Sequence, residues 1–182
     1  MHDPRILAID LRSQLFGFAV LEGPGTLLDF GRKPSRADST RDNAMIVRKK
    51  VAALLAFYSP SVIVLKHASG RSDQPLLQNK ECMERITREA ELRSLELVFL
   101  KRRDIHHVFR QSGNTSKYKI AALIAGLFPE LAWKLPPYRK NWQPEHHNMA
   151  IFDAVSLGLT YFARYGDILP KVTEETQIRT SG

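Results

Sequence analysis

The chain reads as an α/β fold: one mixed sheet that opens with antiparallel strands, continues with parallel ones, and carries helices on both faces. Three observations point there. Apolar runs follow one another closely within residues 5–32, separated by short polar turns. Beyond them, further apolar runs alternate with segments of helical spacing, the order expected of α/β domains. One of these runs, SVIVL at Ser61–Leu65, is a compact β-branched stretch suited to a central strand covered on both sides.

Each element follows from its residues. Arg5–Leu11 and Leu15–Glu22 are rich in Ile, Leu, Val and Phe and lie only a few residues apart, which predicts an antiparallel hairpin. Gly23-Pro24-Gly25 signals a turn, and Thr26–Arg32 completes a meander. Ser39 or Thr40 can cap a helix reaching Tyr58, because Val47, Val51, Leu54, Leu55 and Tyr58 recur at helical spacing, and Pro60 stops it. After the strand at 61–65 come a polar loop, a highly charged helix over Leu76–Arg93, and a strand over Leu95–Leu100. Asp104–Arg110 predicts a short helix, and QSGNTS at 111–116 caps another over Lys117–Phe128. Four prolines make 129–144 an irregular connection, and a last helix is expected from about His146 to Arg164. Residues 1–165 thus form one domain, and 166–182, with little apolar periodicity, a loosely ordered tail.

Composition narrows the partners. The chain has 182 residues, 43% of them hydrophobic and 25% charged, ordinary for a globular domain with a sizeable core. Its 27 Lys and Arg exceed its 19 Asp and Glu, a net charge of +8 that favours a polyanion such as nucleic acid. The single cysteine, Cys82, excludes an internal disulfide framework and a thiolate zinc cluster. No apolar run approaches the roughly 18 residues a membrane span needs, so a cytoplasmic protein without membrane contact is expected.

Two acids ask for a chemical explanation. Asp10 ends a buried strand, and Asp153 sits among Ile151, Phe152, Ala154 and Val155, beside a buried stripe. Carboxylates converging from separate elements are what two-metal phosphodiester chemistry requires, although a capped or ion-paired structural aspartate explains either one alone. Lys117, after a glycine loop and a serine cap, stands where helix amides can meet a phosphate. Basic groups include Lys101-Arg102-Arg103 and Arg139-Lys140, the latter flanked by Tyr138 and Trp142 in a pattern able to stack a splayed base or simply to pin the loop.

Taken in order, ILAID, FGFAVLE, SVIVL, SGNTSK and FDAVSLGL resemble the RuvC-like Holliday-junction resolvases of the RNase H-like superfamily, over about Arg5–Tyr165. The resemblance implies an RNase H-like mixed sheet and a metal-dependent endonuclease cutting branched DNA. It also implies a Mg2+ or Mn2+ cofactor and a homodimer. Asp10 matches the family's first-strand aspartate, and Asp153 the aspartate of its final Asp-Ala pair. The chain departs at Lys66, where the family has a glutamate, at Ala150, where an aspartate is common, and at Leu11-Arg12, where a small glycine turn is usual.

A charged lysine cannot ligate a hard cation and competes with one. Two readings follow. In one, Asp10, Asp153, Glu145 and Lys66 carry the chemistry, with metal on Asp10, Asp153 and His146, the last two on one helical face. Lys66 would then meet the scissile phosphate or take part in proton transfer. Glu145 equally suits a helix cap, and the His146-His147 pair a solvated surface. In the other reading the chain binds branched or structured nucleic acid without cutting it. Lys117, Arg12, Arg71, Lys101, Arg102, Arg103, Arg139 and Lys140 are the expected DNA contacts in both. A phosphate-handling enzyme of the sugar-kinase and actin type is a third class. It would need a second phosphate loop that the sequence does not display, and Arg12 spoils its glycine turn.

Overall fold

A computed structural model of the chain describes residues 3–67, 77–113, 116–140 and 142–166. Five strands form one sheet: β1 (Arg5–Leu11), β2 (Leu15–Glu22), β3 (Leu27–Pro34), β4 (Val62–Lys66) and β5 (Glu96–Leu100). Their order is β3-β2-β1-β4-β5, antiparallel across the first three and parallel from β1 to β4 to β5. The expected mixed sheet is therefore present, with β1 at its centre. Pro34, which cannot donate to a ladder, falls at the end of the edge strand, where it is tolerated.

The helices are α1 (Thr40–Tyr58), α2 (Leu77–Leu92), α3 (Arg102–Arg110), α4 (Lys117–Leu127) and α5 (Met149–Tyr165). Ser39 caps α1 by accepting from the Asp42 amide at 3.1 Å, and Ser116 caps α4 by accepting from Lys119 at 3.2 Å. The pleat sorts side chains onto two cores. Leu7, Ile9, Phe16, Phe18, Val20, Ile63 and Leu65 pack with α1 and α2. Ile6, Ala8, Ala19, Leu21, Val62 and Val64 pack with α3, α4 and α5. α5 is buried along nearly its whole length and lies across the middle of the sheet.

Several boundaries differ from expectation. The proline-rich connection contains a 3-10 helix, Pro129–Lys134, started by Pro129, whose missing N–H is no loss at a first helical position. α5 begins at Met149 rather than His146, because 146–148 form a turn in which His146 and His147 carbonyls accept from Met149 and Ala150. The expected C-terminal tail, apart from Gly166, lies outside the described residues. No described helix is long and apolar enough to cross a membrane.

Candidate functional site

Strand parity decides what faces α5. Asp10 shares its side of β1 with Ile6 and Ala8, Lys66 shares its side of β4 with Val62 and Val64, and Gly17 lies opposite Asp10 on β2. All three therefore face α5. Gly17 matters because the helix arrives so closely. A Cβ at residue 17 would stand 2.0 Å from the Ala150 carbonyl oxygen. The glycine lets the first turn of α5 rest on the sheet, and Asp153, one turn further on, then reaches the end of β1.

Asp10, Asp153 and Glu145 converge there from β1, α5 and the loop before α5. Arg12 stands between them. Its Nε donates to Asp10 Oδ2 at 2.8 Å, its Nη1 to Glu145 Oε2 at 2.6 Å, and its Nη2 to Asp153 Oδ2 at 2.7 Å. Lys117 Nζ lies 2.6 Å from Glu145 Oε1 and 2.7 Å from Asp153 Oδ2, and Lys66 Nζ lies 3.5 Å from Asp10 Oδ1. Arg139 Nη2 approaches Glu145 Oε1 at 3.9 Å. The formal charges of the three carboxylates and of Arg12, Lys66 and Lys117 cancel. Arg12 owes its position to the tight β1–β2 connection, where its N–H donates to the Leu15 carbonyl at 3.0 Å. The Asn43 Nδ2 bond to the Ser13 carbonyl, 3.2 Å, ties the same turn to α1.

Asp153 and Glu145 are driven in opposite directions. Burial, with Asp10 nearby, pushes the Asp153 carboxyl up, and Lys117, Lys66 and Arg12 offset this only in part. Burial also acts upward on Glu145, but Lys117 and Arg12 outweigh it and hold that carboxyl below the usual range. For Arg12, burial works against the charge, yet Asp10 first, then Asp153 and Glu145, keep the guanidinium above its ordinary value. The cluster is a compact network of charge-assisted hydrogen bonds.

A hard divalent cation takes several oxygen ligands at about 2.0–2.6 Å. Oxygens of all three carboxylates here face Arg12, Lys66 or Lys117 instead, and among the described residues no three Asp, Glu, His or Cys side chains are disposed to hold one ion. Magnesium or manganese on Asp10, Asp153 and His146 does not fit this arrangement. His146 is exposed and outside the helix, so the helical-face alignment fails, and its Nδ1 accepts from the Asn148 amide at 3.2 Å. Glu145 does not cap α5; it faces Arg12 and Lys117.

The expected DNA contacts separate into groups. Arg12 and Lys117 are engaged with the acids, with Lys117 still partly open to solvent. Lys101, Arg102 and Arg103 begin at the carboxyl end of β5, beside the end of β4, on the same sheet edge as Asp10 and Lys66. Ligands of open α/β sheets gather at this edge. Arg139 and Lys140 lie in the loop that leads to Glu145, and Arg71 is outside the described residues. Sequence reasoning missed the ion-pairing role of Arg12 and the spacing role of Gly17. A glycine inside an otherwise apolar strand was the available signal for the latter.

A five-stranded mixed sheet of this order, with an acid at the end of its central strand and another on the covering helix, defines an RNase H-like fold. No family model and no curated protein matches the chain. Solved structures do. Thermus thermophilus RuvC superposes with a TM-score of 0.67 at 14% identity, over 89% of this chain and 96% of that one. The yeast mitochondrial Holliday-junction resolvase gives 0.59 at 14% identity, over 90% and 82%. Fowlpox virus resolvase, in complex with Holliday-junction DNA, gives 0.54 at 16% identity, over 87% and 99%. The chain has the RuvC-like resolvase fold.

Proposed function

We propose that this protein binds branched DNA in the cytoplasm as a homodimer and does not cut it, its acidic centre being neutralised from within by Arg12, Lys66 and Lys117. The observation that carries the reading is the Arg12 guanidinium, whose three nitrogens each donate to a different carboxylate. The resolvase fold and the net charge of +8 support DNA as the partner, and the fold's solved relatives include complexes with Holliday junctions. A four-way junction has two equivalent faces, which a two-fold homodimer matches.

A metal-dependent endonuclease is the second reading. It is favoured by the convergence of Asp10, Glu145 and Asp153 from three separate elements, and it requires Arg12 and Lys117 to leave them. Gel shift and strand-nicking assays on a four-way junction, with Mg2+ or Mn2+, separate the two. The expected result is salt-sensitive retention of the junction over a linear duplex of equal length, surviving Asp10→Asn, with no nicked strand. Nicking abolished by Asp10→Asn would install the second reading, and equal affinity for junction and linear duplex would remove the branched-DNA claim.

A further inference from the structure

The segment between α4 and α5 holds a feature that the acidic centre does not use. Trp133, Tyr138 and Trp142 are 74%, 74% and 77% exposed. Large aromatics left open in series within ten residues are unusual on a surface with no partner. Packing does not explain them, since so little of each ring is covered.

Cations accompany the rings. Lys134 Nζ lies 3.7 Å from the Trp133 ring centroid and Lys140 Nζ 5.1 Å from that of Trp142. Between Leu131 and Pro144 the sequence holds Lys134, Arg139 and Lys140 and no acid. Two side-chain bonds to backbone carbonyls tie the strip down: the Lys134 carbonyl accepts from Asn148 Nδ2 at 3.1 Å, and the Arg139 guanidinium donates to the Gln143 carbonyl.

The strip also adjoins the acidic centre. Tyr138 meets Tyr118 edge to face, with centroids 5.2 Å apart and planes at 87°. Tyr118 follows Lys117, and Arg139, next to Tyr138, approaches Glu145. A strand held by this strip therefore passes beside the end of β1.

We propose that Tyr138 and Trp142, with Trp133 as a second position, stack unpaired bases of a DNA strand while Lys134, Arg139 and Lys140 meet its phosphates. Every base has a π-face, so aromatic rings interleaved with cations take a single strand without reading its sequence. A protein partner would bring its own apolar surface and does not account for three cations without an acid. The proposal rests on the branched-DNA reading and specifies which part of the DNA is held: bases freed at the branch rather than its paired arms.

Both tryptophans of the chain lie in this strip, so intrinsic tryptophan emission reports it alone. The full chain is titrated with a fully paired four-way junction, the same junction carrying unpaired thymines at its centre, and a thymidine oligonucleotide. Expected are quenching by the oligonucleotide and preference for the junction with unpaired thymines. Tyr138→Ala or Trp142→Ala should weaken that preference about tenfold, with Tyr138→Phe close to wild type and melting temperatures unchanged. Lys140→Ala should lower the salt slope of binding by about one. Junction binding without quenching, unaffected by either alanine variant, overturns the strip while leaving the branched-DNA reading intact. Quenching by the oligonucleotide with no preference for a junction over a linear duplex supports the strip and removes that reading.

Discussion

Replacing Arg12 by methionine keeps the aliphatic stem and removes three donors at 2.6–2.8 Å from Asp10, Glu145 and Asp153. Hydrogen bonds to charged groups are worth about 1.5–3 kcal/mol each, which would suggest a very large loss. The loss is limited, because the variant can protonate one carboxyl instead. Moving an ordinary aspartate from a pKa near 3.9 to full protonation at pH 7 costs about 4 kcal/mol. Asp153, already pushed up by burial and by Asp10, takes the proton at less than that. The expected destabilisation at pH 7 is therefore about 3 kcal/mol, a fall in Tm of roughly 6–12 °C for a chain of this size.

The same argument sets a pH dependence. In the variant the folded state binds a proton more readily than the unfolded chain does, so acid stabilises the variant relative to wild type. The gap should shrink as pH falls below neutrality, by at most about 1.4 kcal/mol per pH unit for the one proton involved. Mn2+ can displace that proton and supply the missing positive charge, so it should raise the variant's Tm more than that of wild type, reversibly with a chelator. Thermal melts from pH 5 to 8, with and without Mn2+, provide the test. A loss under about 1 kcal/mol at pH 7, or one independent of pH, would refute the idea that Arg12 is the centre's internal counterion.

Three further outcomes follow from other parts of the molecule. Gly17→Ala drives a Cβ into the Ala150 carbonyl, so α5 must retreat from the sheet, at a cost of about 3 kcal/mol visible in chemical denaturation. Glu89, buried between Arg48 and Arg93, has its carboxyl held low chiefly by the Arg48 hydrogen bond. Its contribution is present above the ordinary glutamate range and lost as pH falls through the folded value, so wild type should exceed Glu89→Gln by on the order of 2 kcal/mol at pH 7 and converge with it under acid. Sedimentation equilibrium should return about twice the chain mass of 20.7 kDa, and a monomer at micromolar concentration would remove the dimer.

What the sequence disclosed, and what it hid, divides along one physical line. Periodicity reports which face of an element is buried, so β1, β2, β4, α1 and α4 were legible from apolar spacing, and Asp10 and Asp153 stood out because each interrupts a buried run. The resemblance to the resolvases, followed position by position, marked Lys66 as a cation where that family has a glutamate. What periodicity does not carry is where a long, flexible side chain ends. The sequence marks Arg12 and Lys117 as DNA contacts, Lys117 because a glycine loop and a serine cap precede it. Only the fold, by bringing residues 10, 12, 66, 117, 145 and 153 to one sheet edge, makes them counterions. A joint argument was nevertheless available. Two buried acids without a metal need compensating charge, and the sequence supplies a cation two residues after the first acid and another at the end of the adjacent strand. Lys66 and Arg12 are therefore best understood together: each departs from the resolvase pattern, and each adds a positive charge where Asp10 and Asp153 leave negative ones. With Arg12, Lys66 and Lys117 in place the formal charges of the three carboxylates are cancelled, so a divalent ion would have to displace these cations to bind, and that displacement is what the Arg12→Met melts with Mn2+ measure.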